Sequence, residues 1–411
     1  MVRFDTMTDG ARERGKSVDI FQKCYDFRDA DEVKQAGLYS YFRMISSAQD
    51  PVVMMNGREV VMLGSNNYLG LTNHPEVKKA AQEAVAKYGT GCAGSRFLNG
   101  TLDIHVQLEE KLAQFMRKEA ALTFSTGFQV NLGTVSCLVE RGDIVYLDKL
   151  DHACIIDGAR LGFGTVVKYE HNDVADLDRR LSLKDPSRGA LVVVDGVFSM
   201  EGDIVNLPGL VEVCQKHGAR LMVDDAHGIG VLGEHGRGTA EHFGLEDKVD
   251  LIMGTFSKSL ASVGGFIAGE ERVINWIKHR ARSLIFSAAP PPASVAAVLK
   301  AVEIIEREPE RRAKLWENTA FMKRELANLG FDTGDSQTPV IPVVVGEDRL
   351  AFFMAKRLEE EGVFVNPVIS PAVPPGRALL RTSYMATHTR EHLERALAAF
   401  AKVGREVGLI P

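Results

Sequence analysis

The 411-residue chain has few cysteines, two tryptophans, and no strong charge of one sign. Its five cysteines (Cys24, Cys92, Cys137, Cys154, Cys214) are scattered and odd in number, with no CxxC or Cys/His spacing. That excludes a disulfide framework and a zinc module, and reads as reduced thiols in a cytoplasmic protein. No uninterrupted apolar run is long enough to span a bilayer. The opening MVRFDTMTDGARERGKSVD has no apolar core, so no secretory leader is expected. Lys and Arg total 49 against 55 Asp and Glu, a net charge of −6. Such a balance gives no global attraction for nucleic acid, although a local basic patch can still hold a CoA phosphate. There is no internal repeat and no low-complexity stretch.

What is present is alternation. Short apolar runs at 143–147, 190–195, 220–224 and 250–254 are separated by helical patterns. That order predicts a mostly parallel sheet with helices on both faces. Over 104–117, Ile104, Leu108, Leu112 and Phe115 share one helical face. From about residue 300 the pattern becomes one long charged helix, then strand, helix, two strands and a last helix, a separate α+β layer. The expected division is an arm and hairpin over 1–60, a large domain over 61–300 and a C-terminal α+β domain over 301–411. The hairpin turn is Asn56-Gly57.

Three stretches carry chemistry. In GTFSKSLASVGGF (254–266) a strand delivers Thr255, Ser257 and Lys258, followed by a flexible Gly264-Gly265. A desolvated lysine there has a lowered pKa and can attack an aldehyde, while the hydroxyls can donate to a phosphate. Its ordinary alternative is a solvated charge. In LMVDDAHGIG (221–230) a strand ends on Asp224, Asp225 and His227, at the sheet edge where ligands bind. A carboxylate there can keep a ring nitrogen protonated; a metal site or a charged loop is the alternative. In LTFSTGFQVNLG (122–133) a strand turns through Gly127 into a helix whose first N–H groups can cradle a phosphate. Such turns are common, and this one gains meaning only beside the other two.

Together with SNNYLGL (65–71), YGTGCAGSRFLNGT (88–101), LDHACIIDG (150–158), VDGVFSMEGDI (194–204) and LLRTSYMATHT (379–389), these stretches resemble the α-oxoamine synthase family of fold-type-I pyridoxal-phosphate enzymes, from about residue 35 onward. The resemblance implies an α/β fold with a mostly parallel central sheet, pyridoxal 5'-phosphate as cofactor and no metal. It makes Lys258 the Schiff-base lysine, pairs Asp224 with the ring nitrogen, and sets His227 on the ring oxygen and His152 on the ring face. For His152 the plain alternative is a core histidine at a helix start. Gly127, Phe128, Thr255 and Ser257 fall at the phosphate, with Ser287 reaching it across a dimer interface and Ser199 beside the ring. Arg381 matches the residue for the substrate carboxylate, with a surface arginine as its alternative; Asn67 is the second polar group there. Thr90 and Ser95 lie where the family meets the acyl thioester. Two positions depart from the family: Asp195 stands where many members have glutamate, and Ala261 where glycine is usual.

Within the family, GLYSYFR (37–43), Ser257 and the run at 381–389 point to members that condense L-serine with a long-chain acyl-CoA. Members using glycine or alanine with shorter thioesters, on CoA or a carrier protein, are the first alternative. A non-catalytic partner subunit would lack the lysine, and a transcription regulator would need a basic domain that the acidic chain does not offer. The expected protein is a cytoplasmic homodimer, with contact at the inner membrane face left open for a lipid substrate.

Overall fold

The computed structural model describes residues 19–411. The secretory-leader reading and the first part of the expected arm fall on residues 1–18, outside the described residues. A hairpin comes first, β1 (Val52–Met55) and β2 (Arg58–Met62). Its turn places Asn56 at φ 49° and Gly57 at φ 74°, the left-handed pair that a two-residue hairpin requires.

The central sheet has seven strands: β3 (Ala120–Phe124), β4 (Ile144–Asp148), β5 (Thr165–Tyr169), β6 (Ala190–Asp195), β7 (Arg220–Asp224), β8 (Leu251–Thr255) and β9 (Gly265–Gly269). Their spatial order is β3-β9-β8-β7-β6-β4-β5. Strands β4 to β8 pair in parallel, and β9 runs antiparallel between β8 and β3. The mostly parallel sheet read from the sequence is thus present. Its strands are nearly continuous apolar runs because both faces are covered. The helix Asp103–Phe115 buries Ile104, Leu108, Leu112 and Phe115 on one face, as its spacing predicts.

Two expectations are corrected. Gly264-Gly265 is not a flexible pair: Gly265 opens β9, and a Cβ there would lie 2.9 Å from Gly127 Cα. Glycine is needed for this close approach of strand to helix start. The long charged helix from about 300 is two helices, Pro292–Arg307 and Pro309–Asn328. Pro309 cannot continue the first helix, and it opens the second at a position where no intrahelical donor is required.

The C-terminal strands are β10 (Val340–Gly346), β11 (Val363–Phe364), β12 (Asn366–Val368) and β13 (Ala378–Ser383). One sheet has the order β10-β13-β12, and β11 joins the hairpin as β1-β2-β11. The segment expected as one strand near 363–367 therefore divides at Val365 between two sheets. This ties the N-terminal hairpin to the C-terminal region. Among the described residues no helix is long and apolar enough to cross a membrane.

Candidate active site

The carboxyl ends of β3, β6, β7 and β8 reach the same edge of the sheet and deliver the residues singled out above. They line a cavity of about 320 Å³ that includes Gly127, Phe128, His152, Ser199, Asp224, His227, Thr255, Ser257 and Lys258. Strand order explains the convergence: β7 and β8 are neighbours, with Asp224 in register with Met253.

Asp224 is held on both oxygens. Asn131 Nδ2 donates to Oδ2 at 2.6 Å, and the Ala226 amide to Oδ1 at 3.0 Å. Asp225 turns the other way and accepts from the Thr239 amide and hydroxyl, each at 2.6 Å. Burial pushes Asp225 up to about 7, against those hydrogen bonds. The two carboxylates thus turn to different partners, Asp225 to Thr239 and Asp224 to Asn131. His227 accepts or donates at Nδ1 with the Tyr68 hydroxyl, 2.7 Å away, and burial holds its pKa well below the usual histidine range. An uncharged imidazole follows. Burial also draws Lys258 down to about 8, while Asp224 pulls the opposite way. About a tenth of its amine is therefore neutral at pH 7.

His152 caps the helix Ala153–Leu161, and its backbone N–H donates to Asp195 Oδ2 at 2.8 Å. It starts a helix and lines the cavity from an exposed position, so it is not a core histidine. Burial lowers its pKa, while Asp224 pulls the opposite way. Asp195, shorter than the glutamate of many family members, still lines the cavity; burial and then Asp224 hold its pKa well above the carboxylate range.

The phosphate end fits as well. Thr126 caps the helix Gly127–Leu138, so the following amides face the cavity at a helix N-terminus. Thr255 and Ser257 hydroxyls lie 3.0 Å apart. A Cβ on Gly127 would sit 2.5 Å from Thr255 Oγ1, closing the cradle. With a reactive amine at one end, an acid opposite and this cradle, the residues fit pyridoxal phosphate.

Arg381 is buried rather than a surface arginine. Its Nε donates to the Ser199 carbonyl at 2.5 Å and its Nη2 to Asn66 Oδ1 at 3.0 Å. Asn66, not Asn67, is thus the amide beside the arginine; the Asn67 side chain donates to Thr72 Oγ1 at 2.6 Å and closes a local turn. Adjacent asparagines in a loop cannot be told apart without the fold. Asn131, Tyr68 and Cys154 were also missed. Asn131 had a usable signal, since it lies four residues after Gly127 on the same helix face.

Ser287, Thr90 and Ser95 are not among the residues lining this cavity. Ser287 Oγ accepts from Gln129 Nε2 at 3.0 Å, beside the phosphate-end helix. Thr90 is exposed, and Ser95 Oγ is buried without a hydrogen-bond partner among the described residues.

Comparison with known proteins agrees with this arrangement. The model for the family "Aminotransferase class I and II" matches residues 58–400. A serine palmitoyltransferase of Sphingobacterium spiritivorum is 56% identical over 387 residues, 94% of this chain and 97% of that one. An 8-amino-7-oxononanoate synthase of Thermoanaerobacter pseudethanolicus is 46% identical over 381 residues, 92% and 96% of the two chains. Among solved structures, a serine palmitoyltransferase from S. paucimobilis with a bound PLP–myriocin aldimine has a TM-score of 0.93 at 36% identity, covering 96% of this chain and 100% of that one. The chain belongs to the class I and II aminotransferase family, within its α-oxoamine synthases.

Proposed function

We propose that this chain condenses L-serine with palmitoyl-CoA, releasing CoA and carbon dioxide and forming 3-ketodihydrosphingosine, the first step of sphingolipid synthesis. Pyridoxal 5'-phosphate is its cofactor. The observation that carries the reading is the convergence of Lys258, Asp224 and His227 in one cavity, with Arg381 behind Ser199. The choice of serine and a long acyl chain draws on the 56% identical relative.

When bound, the cofactor supplies an amine-reactive aldehyde and a ring that spreads negative charge from the substrate α-carbon. Asp224, held by Asn131 and the Ala226 amide, keeps a proton on the ring nitrogen. With the cofactor bound, neutral His227 would contact its ring oxygen and His152 would pack against its ring. The amides from Gly127 onward, with the Thr255 and Ser257 hydroxyls, bind the phosphate. Arg381 takes the serine carboxylate, a group its planar guanidinium matches with paired hydrogen bonds. That grip would fix the orientation of the serine α-carbon. Lys258 Nζ would accept the α-proton as general base.

The enzyme works as a homodimer. Phe128 and Val263 line the cavity yet are 43% and 58% exposed, and Phe97, Leu98 and Phe286 are 51%, 77% and 75% exposed. Their segments are joined, with the Ala289 amide donating to Gly94 O. A second subunit over this face would cover them and let Ser287 reach its phosphate. Thr90 and Ser95 meet the thioester. The protein acts in the cytoplasm, with its lipid product accounting for contact at the inner membrane face.

The test is a paired panel: serine, glycine and alanine, each against acetyl-, pimeloyl- and palmitoyl-CoA and an acyl carrier protein thioester. Serine with palmitoyl-CoA should be turned over most efficiently, and Lys258→Ala should abolish this. Alanine with a pimeloyl thioester as the preferred pair would favour the second reading, the activity named for the 46% identical relative.

A further inference from the structure

We propose that Cys154 is a positioning residue of this reaction: its thiol links Asn131, the support of Asp224, to His152 and fixes the imidazole proton on Nε2. The inference deepens the pyridoxal-phosphate reading above and rests on it. Cys154 is buried and lines the Lys258 cavity, whereas the thiols of Cys92 and Cys137 donate to the Pro290 and Thr134 carbonyls.

Two helices bring the group together. A Cβ on Gly158 would lie 2.6 Å from the Asn131 carbonyl oxygen, so the helices Gly127–Leu138 and Ala153–Leu161 touch there. Cys154 lies one turn before Gly158 on the same face, and its Sγ is 3.0 Å from Asn131 Nδ2. Asn131 has two amide hydrogens and both are used, one on Asp224 Oδ2 at 2.6 Å and the other on Cys154 Sγ. Its Oδ1 is buried without a partner among the described residues. Turning the amide over would set that oxygen against the Asp224 carboxylate, so the two acceptors decide its orientation. Burial keeps the Cys154 thiol protonated by pushing its pKa up, and with the sulfur accepting, the S–H remains to donate. His152 Nδ1 lies 2.8 Å away, and the Cys154 backbone N–H reaches the same nitrogen at 3.2 Å. A ring nitrogen that receives two donors offers a lone pair, so the imidazole proton sits on Nε2. The side chain at 154 thus has to accept on one side and donate on the other. A hydroxyl can do both; a methyl can do neither.

The experiment compares wild type, Cys154→Ser and Cys154→Ala as holoenzymes, with cofactor absorbance and melting temperature verifying loading and folding. Nitrogen-labelled histidine reports the proton position by NMR, the His152 signals being assigned by their loss in His152→Gln. Wild type and Cys154→Ser should both show a bare Nδ1 and a protonated Nε2. In Cys154→Ala those signals should move toward a mixture of tautomers. Its kcat with L-serine and palmitoyl-CoA should fall about tenfold, the contribution of one hydrogen bond, while Cys154→Ser stays within about twofold of wild type. A folded Cys154→Ala with the wild-type His152 signals overturns the proposal, whatever its rate. So does a Cys154→Ser as impaired as Cys154→Ala, which would make the bulk of the sulfur the feature that matters. The wild-type spectrum is a test without any variant, since a protonated Nδ1 there sinks the assignment. Failure of the parent reading looks different: the wild type then turns over no serine, while its His152 signals stay as described.

Discussion

Asp224 and Lys258 show how far single residues can be read. The acid is oriented before any ligand is considered, by Asn131 at 2.6 Å and the Ala226 amide at 3.0 Å. Replacing it with asparagine keeps the shape and removes the charge. Asp224→Asn should lower kcat by two orders of magnitude or more while the cofactor still binds, since only the ring's capacity to hold negative charge is lost. An unchanged kcat would count against the electron-sink role. Lys258, at about 8, makes a pH prediction with a definite sign. Only the neutral amine attacks an aldehyde, so the rate of cofactor uptake by the apoenzyme should rise about fivefold from pH 7 to 8 and level off above pH 9. An unperturbed lysine would instead keep gaining tenfold per pH unit through this range. Stopped-flow absorbance separates the two profiles. Ala261 adds a smaller point: its φ of 58° is left-handed, a backbone conformation that favours glycine.

Among the elements, the glycine-rich stretch 88–101 is anchored by an ion pair. Arg96 donates to Glu109 Oε1 at 2.7 Å and Oε2 at 2.9 Å, and Glu109 also accepts from the Thr123 amide and hydroxyl at 2.9 Å each. One carboxylate thereby joins the loop, the helix Asp103–Phe115 and β3. Arg96 is 8% exposed, so Glu109→Ala leaves a buried charge unpaired. The expected loss is about 3–5 kcal/mol, measured by urea unfolding of the holoenzyme. A loss below about 1 kcal/mol would mean that water enters and solvates Arg96. The helix was visible in the sequence pattern. That the helix's Glu109 also meets β3 was not, because strand and helix faces can be assigned while their mutual rotation cannot.

For the whole molecule the decisive prediction is assembly. Sedimentation should give about twice the 45.1 kDa of the chain, since the apolar residues around the cavity mouth stay exposed in one subunit. Ser287→Ala should then weaken cofactor binding several-fold and leave the dimer intact. A monomer with full activity would remove the reason for placing Ser287 at the phosphate.

Much of this protein follows from order along the chain alone. Alternating apolar runs and helical patterns dictate a covered parallel sheet, and the motifs at its strand ends dictate which chemistry gathers there, because every parallel strand presents its carboxyl end to one edge. Tertiary structure alone decided the rest. It chose Asn66 over Asn67 for Arg381, set Asn131 under Asp224, and divided 363–367 between two sheets. Those pairings join residues dozens to hundreds of positions apart. Local periodicity carries no information about which distant surfaces meet; packing of the assembled core supplies it.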